Sequence, residues 1–489
     1  MTSLHIMLYF SVCAKLINSI VSYIAINNQP TVVIVQSIKK HVCLVGKVYC
    51  SRNSRLFMVV AIVFVLFDIT YTVDAIGYTP TLRFSDDNTM PLVRDPNLMV
   101  EEVVQGLELP TTMAFLDADN MLVLEKDKGT VQRIVDGQIM RKPAIDVNVA
   151  TEVERCMCGI AVSKNNEDPQ YVLLYFSEAI SMDGGEAIGN RVYRYEILND
   201  TLHEGKLILD LPALPGPRHN GGAIMLGPDN NSLFVSIGDV DGSFNPGGQF
   251  VRTLTQNYVN SSIVDGRSGI LAVDLNGRPI QNKGILGDSY PLVLYYAYGL
   301  RNSFGIDFDP VTGILWDTEN GPAYADEINL VEPGFNSGYT PVQGIWSHGV
   351  NPSSNVTDWE IFSPVPGGLA DFGGRGNYST PEFIWIDPVG PTSIKFFHSE
   401  KLGIQYKDDI FVADVHNGRL YHFELNSDRT ELKLSGSLED KIANTTAELD
   451  GVIFGEGFGG ITDLEVGPDG YLYVVSIGQG KIFRILPRS

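Results

Sequence analysis

The sequence predicts an all-β chain built of repeated antiparallel sheets, and three observations carry the prediction. A strand–turn–strand phrase recurs six times, no long segment shows the 3.6-residue period of a helix, and 49 Gly and 26 Pro mark frequent turns. The copies read MAFLDADNMLVLEKDKGTVQRI from Met113, GIAVSKNNEDPQYVLLYFSE from Gly159, AIMLGPDNNSLFVSIGD from Ala223, GIDFDPVTGILWDTENGP from Gly305, IKFFHSEKLGIQYKDDIFVADVHNGRLYHFEL from Ile394 and LEVGPDGYLYVVSIGQGKIFRIL from Leu464. In each, an apolar strand passes through a turn of Asp, Asn, Pro or Gly into a second strand of alternating pattern, and a polar loop leads to a third. Spread over residues 77–489, the copies take about 69 residues each, against about 40 to 50 in compact blade repeats, so the surplus belongs to loops. Repeated sheets without crossover helices fit a β-propeller of six four-stranded blades, with a site expected at one end of its central channel.

Ahead of the repeats stands a segment of different character. The whole chain of 489 residues has 35 Lys+Arg against 58 Asp+Glu, a net charge of -23, which argues against nucleic acid as a partner. Residues 1–76 hold six basic and two acidic side chains, whereas residues 77–489 carry -27. Leu56–Phe67 is an unbroken apolar run of twelve residues behind Arg52 and Arg55, too short for a membrane span of about 20 residues but suited to a signal-peptide core. Small residues at Val73 and Ala75 predict cleavage after Ala75; an uncleaved membrane anchor is the alternative. Sequons at Asn199, Asn230, Asn260, Asn355, Asn377 and Asn444, all in the acidic part, predict an extracytoplasmic glycoprotein, secreted or anchored at the cell surface.

Four segments spend chemistry-bearing residues where a plain blade needs only strand formers. Pro217-Arg218-His219-Asn220-Gly221-Gly222 sets an imidazole beside paired glycines that let a ligand approach, so His219 is a candidate general base. Tyr298-Gly299-Leu300-Arg301-Asn302 sets a guanidinium beside an amide, a pair able to polarise an oxygen. Glu319 to Asn329 combines carboxylates with a Gly321-Pro322 turn, offering the hard oxygen ligands that Ca²⁺ prefers. Cys156-Met157-Cys158 cannot close a four-ligand zinc site; it forms a local disulfide or holds two free thiols. An ordinary loop histidine and solvated charges are the plain alternatives for the first three. No Gly-x-Gly-x-x-Gly opens a helix after a strand, and Gly-x-Ser-x-Gly is absent, so neither a Rossmann nucleotide site nor an esterase elbow is supported.

Taken in order, these segments resemble the glucose/sorbosone dehydrogenase family, which includes the soluble quinoprotein glucose dehydrogenases and aldose sugar dehydrogenases. The resemblance covers roughly residues 100–487 and is most specific in HNGGAIMLGPDNNSLFVSIGD and GLRNSFGIDFDPVTGILWDTENGPAYADEINLVEPGFNSGY. It implies a six-bladed propeller that oxidises the C1 hydroxyl of an aldose to a lactone, with pyrroloquinoline quinone (PQQ) held by Ca²⁺ as hydride acceptor and an external electron acceptor thereafter. By that resemblance His219 is the base, Arg301 and Asn302 contact the quinone and the reacting oxygen, and Asp239 lines the channel. The carbonyls of Gly321 and Pro322 correspond to ligands of the cofactor Ca²⁺, and Glu327 with the carbonyl of Ser337 to a second Ca²⁺ position.

Several positions depart from the family pattern. Where its members carry basic residues for the quinone carboxylates, this chain has His416, Gly460 and Thr462; a usual Gln is Glu154, followed by Cys156-Met157-Cys158 in place of Gly-Leu-Leu. Arg419, His398 and Lys395 are the basic residues available to compensate. These departures motivate a competing reading: a non-catalytic cell-surface propeller that binds a glycan or protein, similar to the Hedgehog-interacting relatives.

Overall fold

The computed structural model describes residues 90–488 except 164–169, 243–252, 257–263, 281–283, 349–358 and 362–367. The expected leader over residues 1–76, its cleavage site and the sequons at Asn260 and Asn355 lie outside the described residues. The described residues form an all-β propeller, with helix confined to short 3-10 turns such as Leu292–Leu294 and Thr446–Gly451.

Local sequence explains the hairpin ladders. Asp136-Gly137 joins Thr130–Val135 to Gln138–Ile139 with both residues at positive φ (51° and 72°), and Asn199-Asp200 (48° and 66°) joins Ala187–Leu198 to Thr201–Leu211. Two-residue turns of this hand match the right-handed twist of the strands they connect, and they favour Asn, Asp and Gly.

The sheets begin on the strands Pro110–Asp117, Met157–Val162, Ile224–Leu226, Ser303–Phe308, Pro391–Phe396 and Ile461–Val466. These first strands stand beside one another in chain order, and Ile461–Val466 returns to Pro110–Asp117, so they surround a common axis. The last sheet is completed by an early strand, Leu98–Gln105, paired antiparallel with Lys481–Pro487 from Leu98↔Pro487 to Gln105↔Lys481. That closure ties the two ends of the described chain together, and no repeat phrase announced it.

Much of the surplus length forms strands rather than plain loops. Phe335–Asn336 adds in parallel to Tyr295–Tyr298, Ile442–Ala443 adds in parallel to Phe383–Trp385, and a small separate sheet contains Val342–Gln343, Trp346–His348 and Trp359–Ile361.

The second strands differ from their expected alternation. Ser232–Ile237, Leu315–Glu319, Ile410–Asp414 and Leu472–Ser476 are buried at every position. Each lies inside its sheet with neighbouring sheets against both faces, which buries apolar side chains and polar ones such as Asp317, Glu319 and Asp414 alike. Trp316, Trp385, Ile394 and Val412 pack between two successive sheets, and Val104, Met113, Val475 and Ile482 join the last sheet to the first.

Candidate functional site

The site grows from the chain that enters Ile224–Leu226. His219 adopts φ 57° and is 2% exposed, a conformation that persists in a non-glycine residue only when its surroundings over-determine it. They do so from several sides. The backbone N–H of His219 donates to Glu154 Oε2 (2.6 Å), and its carbonyl accepts from the N–H of Val240 (3.2 Å). Next to it, Asn220 Nδ2 donates to the Pro217 carbonyl (2.7 Å), its Oδ1 accepts from Asn190 Nδ2 (2.9 Å), and its carbonyl accepts from the Tyr175 hydroxyl (2.6 Å).

The imidazole is oriented in turn. His219 Nδ1 lies 2.5 Å from Asp239 Oδ1, which is buried just beyond the end of Ser232–Ile237. With the proton on Nδ1, the carboxylate fixes the tautomer and leaves Nε2 as the acceptor, the arrangement a general base needs.

The Arg301-Asn302 segment docks on the same loop. Asn302 Nδ2 donates to Glu154 Oε2 (3.2 Å), while its Oδ1 accepts from the N–H of Gly221 (3.2 Å), so Asn302 clamps the base loop to Glu154. Arg301 is held by its N–H to Glu319 Oε1 (2.5 Å) and by one guanidinium nitrogen to the Asn320 carbonyl (2.8 Å). Its Nε is buried without a hydrogen-bond partner among the described residues.

Gly238 allows the two loops to meet. A Cβ there would lie 2.5 Å from both the Arg301 and His219 carbonyl oxygens and 2.8 Å from Asn302 Oδ1. Gly238→Ala is therefore expected to destabilise the fold by about 1–3 kcal/mol, read as a lowered unfolding midpoint in urea. An unchanged midpoint would show that these loops are not tightly seated.

The acidic segment lies next along the chain. Gly321 donates its N–H to Asp326 Oδ1 (2.8 Å), and Asp326 Oδ2 accepts the N–H groups of Val389 and Gly390 (2.8 Å each), joining the Gly321-Pro322 turn to the loop against which the His416 ring rests. Glu327 Oε1 accepts from Gln343 Nε2 (2.7 Å) and the Gly344 N–H (2.6 Å), and Ser337 Oγ donates to Glu319 Oε2 (2.6 Å). Glu319 and Glu327 face each other in register on neighbouring strands. Burial pushes the Asp317 carboxyl up to about 7 and Glu327 up to about 8; burial followed by repulsion from Glu327 and Asp317 raises Glu319. Among the described residues no group of three or more His, Cys, Asp or Glu side chains is arranged to hold a metal ion.

The remaining candidates fall into two sets. Thr462 donates to the Pro110 carbonyl (3.0 Å) and lines a channel cavity of about 130 Å³. The basic residues available to compensate for lost cations are each engaged by acid: Lys395 with Glu465 (3.0 Å), Arg419 with Glu456 (3.1 Å) and His398 with Asp408. Buried Gly459 and Gly460 lie against Gly418, and their N–H groups donate to no group among the described residues. Cys156 and Cys158 form a disulfide.

Sequence reasoning did not foresee Glu154 as the acceptor for the His219 amide, nor Glu319 as the anchor of Arg301. The signal for Glu319 lay in its place at the end of a second strand, where Glu125 and Asp414 likewise accept from nearby loop amides.

Comparison with known proteins identifies similar chains. The family model for Glucose / Sorbosone dehydrogenase matches residues 107–484. The aldose sugar dehydrogenase YliI of Escherichia coli K12 is 22% identical over 406 residues, covering 80% of this chain and 93% of its own. The apo-form structure of the soluble E. coli aldose sugar dehydrogenase superposes with a TM-score of 0.61 at 19% identity, covering 80% of this chain and 100% of that one. The PQQ-bound aldose sugar dehydrogenase of Streptomyces coelicolor gives a TM-score of 0.56 at 20% identity, with 81% and 100% covered. With nearly the whole propeller matched and both specific blocks inside the match, the chain belongs to the glucose/sorbosone dehydrogenase family.

Proposed function

We propose that the chain is an exported, six-bladed sugar dehydrogenase that oxidises the C1 hydroxyl of an aldose or related polyol to a lactone with PQQ as hydride acceptor. The observation that carries this reading is the His219–Asp239 dyad docked beside Arg301, whose buried Nε has no partner among the described residues. The closed cycle of first strands supports six blades. Exposed sequons at Asn199, Asn377 and Asn444 support export through a glycosylating compartment.

The residues present suit the reacting end of the quinone. The partly exposed Arg301 guanidinium would meet one of its oxygens, while Thr462, His416 and the amides of Gly459 and Gly460, which have no acceptor among the described residues, would face its acidic groups. The carbonyls of Gly321 and Pro322 are proposed ligands of its Ca²⁺, and Glu327 with the Ser337 carbonyl a second Ca²⁺ position. Bound quinone supplies a two-electron acceptor for hydride. The protein's own work is proton transfer and positioning. His219 Nε2 takes the hydroxyl proton as hydride leaves C1, and Asp239 stabilises the resulting imidazolium. Glu154 and Asn302 hold the base loop against Arg301 while this happens.

To test this, the protein is reconstituted with PQQ and Ca²⁺ and reduction of an artificial electron acceptor is followed with a panel of aldoses. Sugar-dependent turnover is expected; its absence across the panel would overturn the reading. A second reading, a non-catalytic propeller that binds a glycan or protein, is favoured by the pairing of Lys395, Arg419 and His398 with carboxylates. It predicts no saturable PQQ binding by calorimetry even with Ca²⁺ present.

A further inference from the structure

We infer that Cys156 and Cys158 form a reversible two-electron thiol–disulfide centre on the wall of the central channel, which takes a small dithiol as reductant and whose state sets the seating of the base loop. The pair closes a ring between residues two apart, where the chain enters the first strand Met157–Val162. A crosslink spanning so short a loop removes little freedom from the unfolded chain, so it makes a poor structural staple.

Its placement suits exchange. Both cysteines line the channel cavity together with Gly221, Gly222, Thr462 and Lys395. Cys158 is partly exposed, whereas Cys156 is only 6% exposed, so an incoming thiolate meets Cys158 Sγ first. That thiolate bonds to Cys158 Sγ, the S–S bond breaks, and its electron pair leaves on Cys156 Sγ, which takes a proton. The second thiol of the reductant then attacks the reductant's own sulfur in the mixed disulfide, releasing the Cys158 thiol and the reductant as a cyclic disulfide. The protein gains two electrons and two protons.

Two contacts couple the pair to His219. Glu154, two residues before Cys156, accepts the His219 N–H and the Asn302 amide. Cys158 presses on the same loop from the channel side, where a Cβ at Gly222 would lie 2.4 Å from Cys158 Cβ. The backbone around the ring is pinned by Ser177 N–H to the Cys156 carbonyl (3.0 Å) and by Thr111 Oγ1 to the Met157 carbonyl (2.7 Å). Opening the ring against these fixed points redistributes torsion between Glu154 and Cys158, the two places that touch the base loop.

The test uses the full chain and dithiothreitol as the reductant, without denaturant. Iodoacetamide alkylation with peptide-resolved mass spectrometry separates Cys156 and Cys158 from Cys13, Cys43 and Cys50. Both are expected to become alkylated while the thermal unfolding transition persists, and in a parallel reduced sample left unalkylated the disulfide is expected to return when oxidised glutathione replaces dithiothreitol. A pair that resists alkylation until the fold melts would overturn the exchange centre. With ¹³C-labelled histidine, the His219 ring signal, assigned by its loss in His219→Gln, is expected to move on reduction. The Cys156→Ser/Cys158→Ser double variant should sit at the reduced position and ignore dithiothreitol. An unmoved wild-type signal would overturn the coupling. Neither readout needs quinone or sugar, so failure here is separable from failure of the dehydrogenase reading.

Discussion

Replacing His219 by Gln is expected to lower kcat of the quinone-reconstituted protein by on the order of 10²–10⁴, the span attributed to a positioned general base. The loss should appear equally in kcat and kcat/KM, because a general base acts on the proton as the transition state forms rather than on ground-state binding. The structure gives grounds for expecting the fold to survive. The loop is held largely through backbone and neighbouring groups, namely the His219 N–H to Glu154, the Asn220 network and the Asn302 clamp, none of which uses the imidazole. Asp239→Asn should reproduce part of the loss by unsettling the tautomer at Nδ1. Steady-state kinetics beside circular dichroism check both; a folded, fully active His219→Gln protein would remove the imidazole from the mechanism.

Raising the pH from 5 to 8 is expected to destabilise the metal-free protein, and Asp317→Asn should flatten that dependence. Asp317 is fully buried at the centre of Leu315–Glu319, and both its oxygens lack a hydrogen-bond partner among the described residues. Burial raises its carboxyl to about 7. The folded state therefore holds this proton where the unfolded chain, titrating near 3.8, has released it. Stability is fully present below about pH 4 and is lost as pH rises to about 7, at up to about 1.4 kcal/mol per pH unit for one group. Urea unfolding at pH 5, 6, 7 and 8 measures the slope. Parallel curves for wild type and Asp317→Asn would show that Asp317 does not carry it.

Much of the fold was legible because a propeller repeats its local instruction. Each hairpin phrase needs only a turn signal and flanking strand residues, and those survive wide variation in the loops. What stayed hidden depends on distant partners. Pairing of Leu98–Gln105 with Lys481–Pro487 closes the ring between the two ends of the described chain, and no periodicity within either segment encodes it. The full burial of Ile410–Asp414 follows from neighbouring sheets that only the assembled ring provides.

The site divides in the same way. His219, Arg301 and Asn302 stood out by type and by resemblance, and the fold brings them into one hydrogen-bonded cluster. The grip of Glu154 on His219 spans 65 residues and two sheets, and the Asp239–Nδ1 contact depends on the turn after Ser232–Ile237. Arg419 and Lys395 looked available as cations in sequence, yet each sits within reach of a carboxylate. In a domain with so many acids, a partly buried cation gains most by pairing with one, whereas the amides of Gly459 and Gly460 donate to no group among the described residues.

The proposed chemistry turns on whether quinone bound here accepts hydride from a sugar under the control of His219. Calorimetry first brings the protein to saturation with PQQ in the presence of Ca²⁺, and the complex is then mixed with aldose in a stopped-flow spectrometer without any external acceptor. The account predicts saturable binding, followed by conversion to the reduced-quinone spectrum in a single turnover that His219→Gln slows by on the order of 10²-fold or more. Absence of saturable binding, or an unchanged spectrum from a saturated complex across the aldose panel, would contradict it.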